Sequence, residues 1–380
     1  MKEQYEGQVA LLIDVLPFVA QADVFALKGG TAINFFHLDC PRLSVDIDLH
    51  YLPLNNREQA LADIKANMEA IAAGIENAYT DTQVRVDGRT CNAVVARRGT
   101  QIKIEPNTII RGSLLPIENR RLSPYLEEKY GRTLSFPCVA KHELYAGKLC
   151  AALQRQHPRD LFDMLLFLRE NDLSLEFMDA FLVYLISQGK PIYEELNPNI
   201  KDVEALYHNQ FMGMPAEKVA LEHLTGVQTS LPGQVLAALG DRHRQFLLGF
   251  KQGNPDWSLL PFKGVKDLPA VRWKQINLDK MDSPKRQQEI DRLQQLFAAN
   301  PFNPEHTDMT IEKEGSNLLP PQEQLAEEIA SALVASGLVD AARKKQIGQQ
   351  IAAGQLKRED WSLLVEVAQK PGEDGGAADA

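Results

Sequence analysis

Cysteine is scarce in these 380 residues: Cys40, Cys91, Cys138 and Cys150 are the only four, and no two stand as C-x-x-C. That excludes a disulfide-stapled scaffold and a zinc-ribbon site, and fits a reducing compartment. Long apolar runs are missing too. The stretch nearest to one, Phe177–Ile186, is interrupted by Asp179 and falls far short of the ~20 residues that a bilayer-spanning helix needs. The opening Met1-Lys2-Glu3-Gln4 lacks the basic-then-apolar layout of a secretory signal. The expectation is a soluble cytoplasmic protein with no membrane contact. Several catalytic signatures are absent as well. No G-x-x-x-x-G-K-[ST] or G-x-S-x-G occurs, and His142-Glu143 is followed by Ala146 where H-E-x-x-H needs histidine.

What is present suits a large globular chain. Hydrophobic residues make up 44%, enough to bury a sizeable core, and the length predicts two to three domains. The net charge of -10 is unevenly spread. Residues 1–84 hold 5 Lys/Arg against 12 Asp/Glu, residues 85–170 hold 15 against 9, and residues 171–380 hold 21 against 30. An acidic whole argues against nonspecific coating of DNA. The basic middle still permits one polyanionic ligand, such as an NTP or RNA.

Residues 5–20 carry apolar side chains near a 3.6 period and predict a helix. Val24–Leu27 reads as a buried strand that stops at Gly29-Gly30, with a short helix over Thr31–Leu38. In Val45–Leu52 the apolar Val45, Ile47 and Leu49 alternate with Asp46, Asp48 and His50, which predicts a strand with one polar face. A helix is expected over 57–78, then strands at 82–87, 91–98 and 101–105, the first turn marked by Asp87-Gly88. From Val139 to about residue 250 the pattern is mainly helical. Asp-Trp-Ser-Leu-Leu occurs twice, at 256–260 and 360–364, and reads as two similar helix entries rather than a repeat array.

The chemistry concentrates in Lys28-Gly29-Gly30-Thr31 and Asp46-Ile47-Asp48. A strand, a Gly-Gly turn and a hydroxyl at a helix start present N–H groups that favour phosphate. Lys28, Gly29, Gly30 and Thr31 are therefore candidate nucleotide contacts, with Lys103 on a neighbouring strand. Asp46 and Asp48, two apart on a strand, project from one face, as a hard cation such as Mg²⁺ requires. Glu105 shares a face with Lys103 and supplies a third carboxylate. Lys141, Tyr145 and Lys148 fall on one helical stripe, and a cation there can neutralise a leaving pyrophosphate. Asp160 and Asp163 lie on one face three apart; one can orient Lys148 and the other act as base for an acceptor hydroxyl. The competing reading is an Arg159–Asp163 pair that only supports its helix.

Lys28–Ala32 and Arg42–Leu49 together resemble the first motif of the AbiEii/AbiGii toxin family, nucleotidyltransferase-like proteins of abortive-infection and toxin–antitoxin systems. Lys148–Arg155 followed by Arg159-Asp160-Leu161-Phe162-Asp163 resembles the family's second half. The resemblance covers about residues 20–170. It implies an α+β fold: a nucleotidyltransferase-like mixed-sheet core over 1–136 and a helical domain over 137–280 that completes the active site. Beyond it the expectations are a linker over 281–321, a helical module over 322–369 and a disordered tail over 370–380.

Carried over residue by residue, the resemblance has Gly30 and Thr31 touch NTP phosphate, Asp46 and Asp48 hold Mg²⁺, and Lys148 and Asp163 complete the site. It implies Mg²⁺-dependent transfer of a nucleotide from NTP to an acceptor, RNA and specifically the 3′ end of tRNA, by a toxin or phage-defence effector with a cognate antitoxin encoded nearby. The residues alone leave two alternatives: a nucleotidyltransferase acting on a small molecule or protein, and a non-catalytic NTP-binding interaction protein. The full set of Asp46, Asp48, Glu105, Lys148 and Asp163 speaks against the second.

Overall fold

The computed structural model describes residues 3–302 and, in part, residues 326–352. It divides into two compact units, residues 1–310 and 311–380.

The first unit begins with helix α1, Glu3–Val19, whose Val9, Leu12, Leu16 and Val19 are buried along one stripe. Strand β1, Phe25–Lys28, follows. Helix α2 is the single turn Gly29–Thr31, and it runs straight into a π-helical turn, Ala32–His37. Strand β2, Asp46–Tyr51, then returns antiparallel to β1. Helix α3 spans Arg57–Ala78; its first turn is closed by Asn56, whose side chain accepts from the Gln59 N–H at 3.0 Å. Ala60, Ile64, Met68, Ile71 and Ile75 form its buried stripe.

A hairpin and its extension supply β3, Thr82–Val86, β4, Ala93–Arg97, and β5, Thr100–Asn107. Strand β5 lies parallel to β2, with Asp46 opposite Lys103 and Asp48 opposite Glu105. Two further strands, β6 (Glu118–Arg121) and β7 (Ser135–Cys138), flank the short helix α4, Pro124–Tyr130. Strand β7 pairs parallel to β1, giving a seven-stranded mixed sheet of order β3-β4-β5-β2-β1-β7-β6. The alternation of Ile102 and Ile104, buried, with Lys103, exposed, shows one face packed on α1 and α3 and the other open.

The helical half comprises α5, Lys141–Gln154; α6, Pro158–Glu170; α7, Leu175–Ile186; α8, Ile192–Leu196; and α9, Glu204–Leu206. Then come α10, Leu221–Ala238; α11, Asp241–Gln252; α12, Pro269–Asp279; and α13, Ser283–Ala299. Its Tyr145, Phe162 and Phe167 are buried, as is Tyr51 in the sheet. One continuous apolar core runs from Val9 to Phe297. Among the described residues no helix is long and apolar enough to cross a membrane.

Two expected boundaries shift. The division at 136/137 falls inside β7, a four-residue strand too short to announce itself and paired with β1 and β6. The region expected as a linker from 281 opens with α13. Asp282 caps that helix, and Ile290, Leu293 and Phe297 bury its apolar stripe. The Lys251 ammonium of α11 donates to the buried Glu289 carboxylate, and Arg244 donates to the Phe297 and Asn300 carbonyls at 2.9 and 2.7 Å. The first Asp-Trp-Ser-Leu-Leu copy is a helix entry as expected: Asp256 caps the 3₁₀ turn Trp257–Leu259. Its second copy lies outside the described residues, as do 303–325 and the tail from 353.

In the second unit a helix spans Lys344–Ala352, and Ala326, Ala330, Val339 and Ile347 are buried.

A chain ended after Met281 is expected to lose several kcal/mol of stability, since Ile290, Leu293 and Phe297 each contribute about 1.5–3 kcal/mol of burial. One ended after Phe302 keeps that cover. Thermal melts of the two shortened chains compare them directly; equal melting temperatures contradict the docking of α13.

Candidate active site

The two glycines of the β1–α2 turn are clearances for two charged side chains. Gly29 has φ +72°, and a Cβ there would stand 2.0 Å from Asp48 Oδ2, so both the backbone and the carboxylate above it demand glycine. A Cβ on Gly30 would meet Arg42 Nη2 at 2.8 Å and Ser44 Oγ at 3.0 Å. Thr31 is fully buried, and its hydroxyl donates to the Asp46 carbonyl at 2.5 Å with Ser44 Oγ 2.9 Å away. The hydroxyl expected to touch phosphate is here engaged in tying β2 to the turn.

Asp46 and Asp48 sit on the open face of the sheet, with Lys28 opposite Asp48 on one side and Lys103 and Glu105 opposite them on the other. Burial and the charge of Asp48 raise the pKa of Asp46, with Arg159 and Lys103 opposing the shift. Burial, then Asp48 and Asp46, raise that of Glu105. Mutual repulsion of this kind is relieved by a cation. Yet among the described residues no three His, Cys, Asp or Glu side chains converge closely enough to cage a metal ion. The expected triad is thus incomplete as it stands: Glu105 Oε1 turns toward Asn92 Nδ2, at 3.4 Å. Two carboxylates with room for substrate oxygens still fit Mg²⁺, which is ordinarily bound by one or two carboxylates plus phosphate.

Asp163 and Lys148 belong to a buried ionic network. Arg42, only 2% exposed, grips Asp163 with both edges of its fork: Nε to Oδ1 at 2.7 Å and Nη2 to Oδ2 at 2.6 Å. Its Nη1 donates to the Leu43 carbonyl at 2.9 Å. Lys148 lies between Asp160, at 2.8 Å, and Asp163, at 3.0 Å. Asn34, carried on the π-helical turn, donates to the Gly30 carbonyl at 2.9 Å and to Asp163 Oδ1 at 3.2 Å. Burial alone would raise the Asp163 pKa, but Arg42 and Lys148 outweigh it and hold the carboxyl at about 2. Such a group takes no proton from an acceptor at neutral pH. Asp160 is likewise held below its ordinary value by Lys148 and Arg155 against burial. Neither aspartate suits the role of base.

Further cations surround the carboxylates. Lys28 has no hydrogen-bonding or ion-pairing partner among the described residues; burial lowers its pKa, Asp48 offsets part of the shift, and Arg155 and Lys148 add to it. Arg155 reaches Asp160 at 3.0 Å and is otherwise exposed, and Arg159 stands 3.8 Å from Asp46 rather than pairing with Asp163. The Lys148 ammonium has three donors, of which two are engaged. Sequence reasoning gave Arg42, Asn34 and Arg155 no part in the site. Arg42 and Arg155 do stand within the stretches that carry the family resemblance, and Asn34 lies four residues after Gly30; their partnering was not legible, since Asp163 is 121 residues beyond Arg42.

The network makes a pH prediction. Asp163 titrates at 3.8 when unfolded and at about 2 when folded, so its stabilisation is present above 3.8 and disappears as pH falls through about 2. Arg42→Met strands the carboxylate and is expected to cost about 3–5 kcal/mol at pH 7. It should also flatten the loss of stability between those two pH values. Urea unfolding of both proteins across that range measures this, and parallel pH profiles contradict it.

Residues 10–274 match the profile of the family described as nucleotidyl transferase AbiEii toxin, type IV TA system. No curated protein matches the chain. Solved structures that match include MenT4, a nucleotidyltransferase toxin from Mycobacterium tuberculosis H37Rv, at 17% identity and a TM-score of 0.36 over 76% of this chain and 92% of that one. With the match spanning the sheet, the carboxylate strand and the helical half together, the chain belongs to the AbiEii family of nucleotidyltransferase toxins.

Proposed function

We propose that this toxin transfers a nucleoside monophosphate from NTP to a hydroxyl of RNA, the 3′ end of tRNA being the target the family resemblance implies. Arrest of translation in a phage-infected cell would then be its role, opposed by a cognate antitoxin. The observation that carries the reading is Lys28: a partly buried ammonium, partnerless among the described residues, beside Asp48 and facing Arg155 and Lys148. Asp48 offsets only part of the cost of burying this cation, and triphosphate would supply further negative charge. Arg159 and Lys103 border the same carboxylates and extend this cationic wall. RNA is favoured as acceptor by the basic excess of residues 85–170, 15 Lys/Arg against 9 Asp/Glu.

In this reading Asp46 and Asp48 would hold Mg²⁺, which when bound would supply positive charge beside the triphosphate. The acceptor oxygen bonds to the α-phosphorus as the bond from that phosphorus to the bridging β-oxygen breaks. Pyrophosphate leaves against Lys28, Arg155 and the third donor of Lys148. The hydroxyl proton passes to Glu105, whose pKa is raised by burial and by its two neighbours. Asp160 and Asp163 fix Lys148, and Arg42 fixes Asp163.

Incubation with α-labelled NTP, total RNA and protein extract tests the reading. Label is expected in RNA, and Asp46→Asn or Asp48→Asn should lower incorporation at least ~10³-fold without loss of fold. Label confined to protein, or full activity in either variant, overturns it. Lys28 separates function from stability. Lys28→Met should leave the nucleotide-free protein as stable or more stable, while raising KM for NTP by about tenfold or more, the loss of a charge-assisted contact. A variant that melts lower and keeps its KM contradicts the role given to Lys28.

A further inference from the structure

The open face that carries Asp46 and Asp48 continues outward past β5. Residues opposed in register share a face, so one row runs Asp46, Lys103, Val94, Arg85 across β2, β5, β4 and β3. A second row, Gln101, Ala96, Gln83, lies beside it. The reverse face is filled by Val84, Val95 and Ile102, packed into the core. On the site side Gln83, Arg85, Gln101 and Lys103 are exposed. None of these four side chains has a hydrogen-bonding or ion-pairing partner among the described residues.

Charge tells what this strip fits. Beyond the carboxylates of the site it presents two cations and two amides. The acidic residues at the two ends of the β3–β4 hairpin are engaged elsewhere. Asp87 accepts from the Arg89 and Thr90 N–H groups and the Thr90 hydroxyl, and Asp81 is bound by Arg98 at 2.7 Å. No aromatic side chain stands in either row, so bases have nothing to stack on and contact falls to a backbone. Addition of a peptide strand is disfavoured, because the Val84 N–H on edge strand β3 already donates to Glu76 at 2.8 Å. Arg85 is three strand spacings from Asp46, about 14 Å at ~4.8 Å each.

We propose that this strip is the track of the acceptor: with the reacting hydroxyl at Asp46 and Asp48, the RNA strand leaves over Lys103, and a phosphate a few nucleotides back lies on Arg85, with Gln83 and Gln101 donating to its sugar and phosphate oxygens. The inference rests on RNA being the acceptor. It makes acceptor binding dependent on salt and indifferent to sequence along this stretch.

Steady-state transfer to RNA at saturating NTP tests it. Arg85→Gln should raise KM for RNA about threefold to tenfold and Arg85→Glu further, with kcat and KM for NTP within about twofold. The slope of log KM against log salt should fall by about 0.7, the share of one phosphate contact on a single strand. Gln83→Lys should lower KM for RNA. Melting curves should coincide with the parent, since neither side chain has a partner to lose. If the parent labels RNA and these variants keep its RNA KM and salt slope, the acceptor approaches by another surface and the proposal fails while the proposed function stands. If the parent labels protein or a small molecule instead, both fall.

Discussion

The buried pair of Arg42 and Asp163 is the constraint on which the site depends. An arginine and an aspartate removed from water cost several kcal/mol each, and only near-ideal geometry returns that energy. The fork-to-carboxylate contact provides it, and Lys148, Asn34 and the Leu43 carbonyl satisfy what remains. One member comes from the segment leading into β2 and the other from α6, so the contact fixes the helical half against the sheet beside the Asp46 and Asp48 carboxylates. The same guanidinium dictates Gly30, and the Asp48 carboxylate dictates Gly29. Two glycines that read as a phosphate cradle are, physically, the space two charged side chains need.

Much of the fold was legible because periodicity is a local property. Asp46-Ile47-Asp48-Leu49 alternates, and the structure places both aspartates on the open face; α3 spans the 57–78 read from its apolar stripe. What escaped was set by long-range pairing. Glu118–Arg121 and Ser135–Cys138 are strands because neighbours bond them. The Ala32–His37 turn is π-helical, and that extra residue per turn is not encoded in any apolar spacing. Residues 281–304 read as charged helical stretches within a linker; what escaped was that Ile290, Leu293 and Phe297 dock, since a surface helix shows few apolar residues until its docking partner is known.

The site divides in the same way. Residue type and spacing brought Asp46, Asp48, Glu105, Lys148, Asp160 and Asp163 into consideration, and the structure sets them around one end of the sheet. The division of labour among them was not legible. Asp163 carries the features of a base in sequence, yet two cations hold it ionised; Lys148 looks like a phosphate contact, yet most of its donors face aspartates. Charge roles depend on which partner arrives first in space, and Arg42 reaches Asp163 across a sequence separation of 121.

Lys28, partnerless among the described residues, has a consequence beyond the role proposed for it. A ligand that binds only the folded protein stabilises it in proportion to the logarithm of its concentration over its dissociation constant. If nucleotide supplies the anion Lys28 lacks, the toxin's resistance to unfolding rises and falls with the cell's nucleotide pool. Starved cells would then hold a looser, more protease-sensitive toxin, and energy-replete cells a more durable one, so that metabolic state sets the lifetime of the weapon as well as its rate.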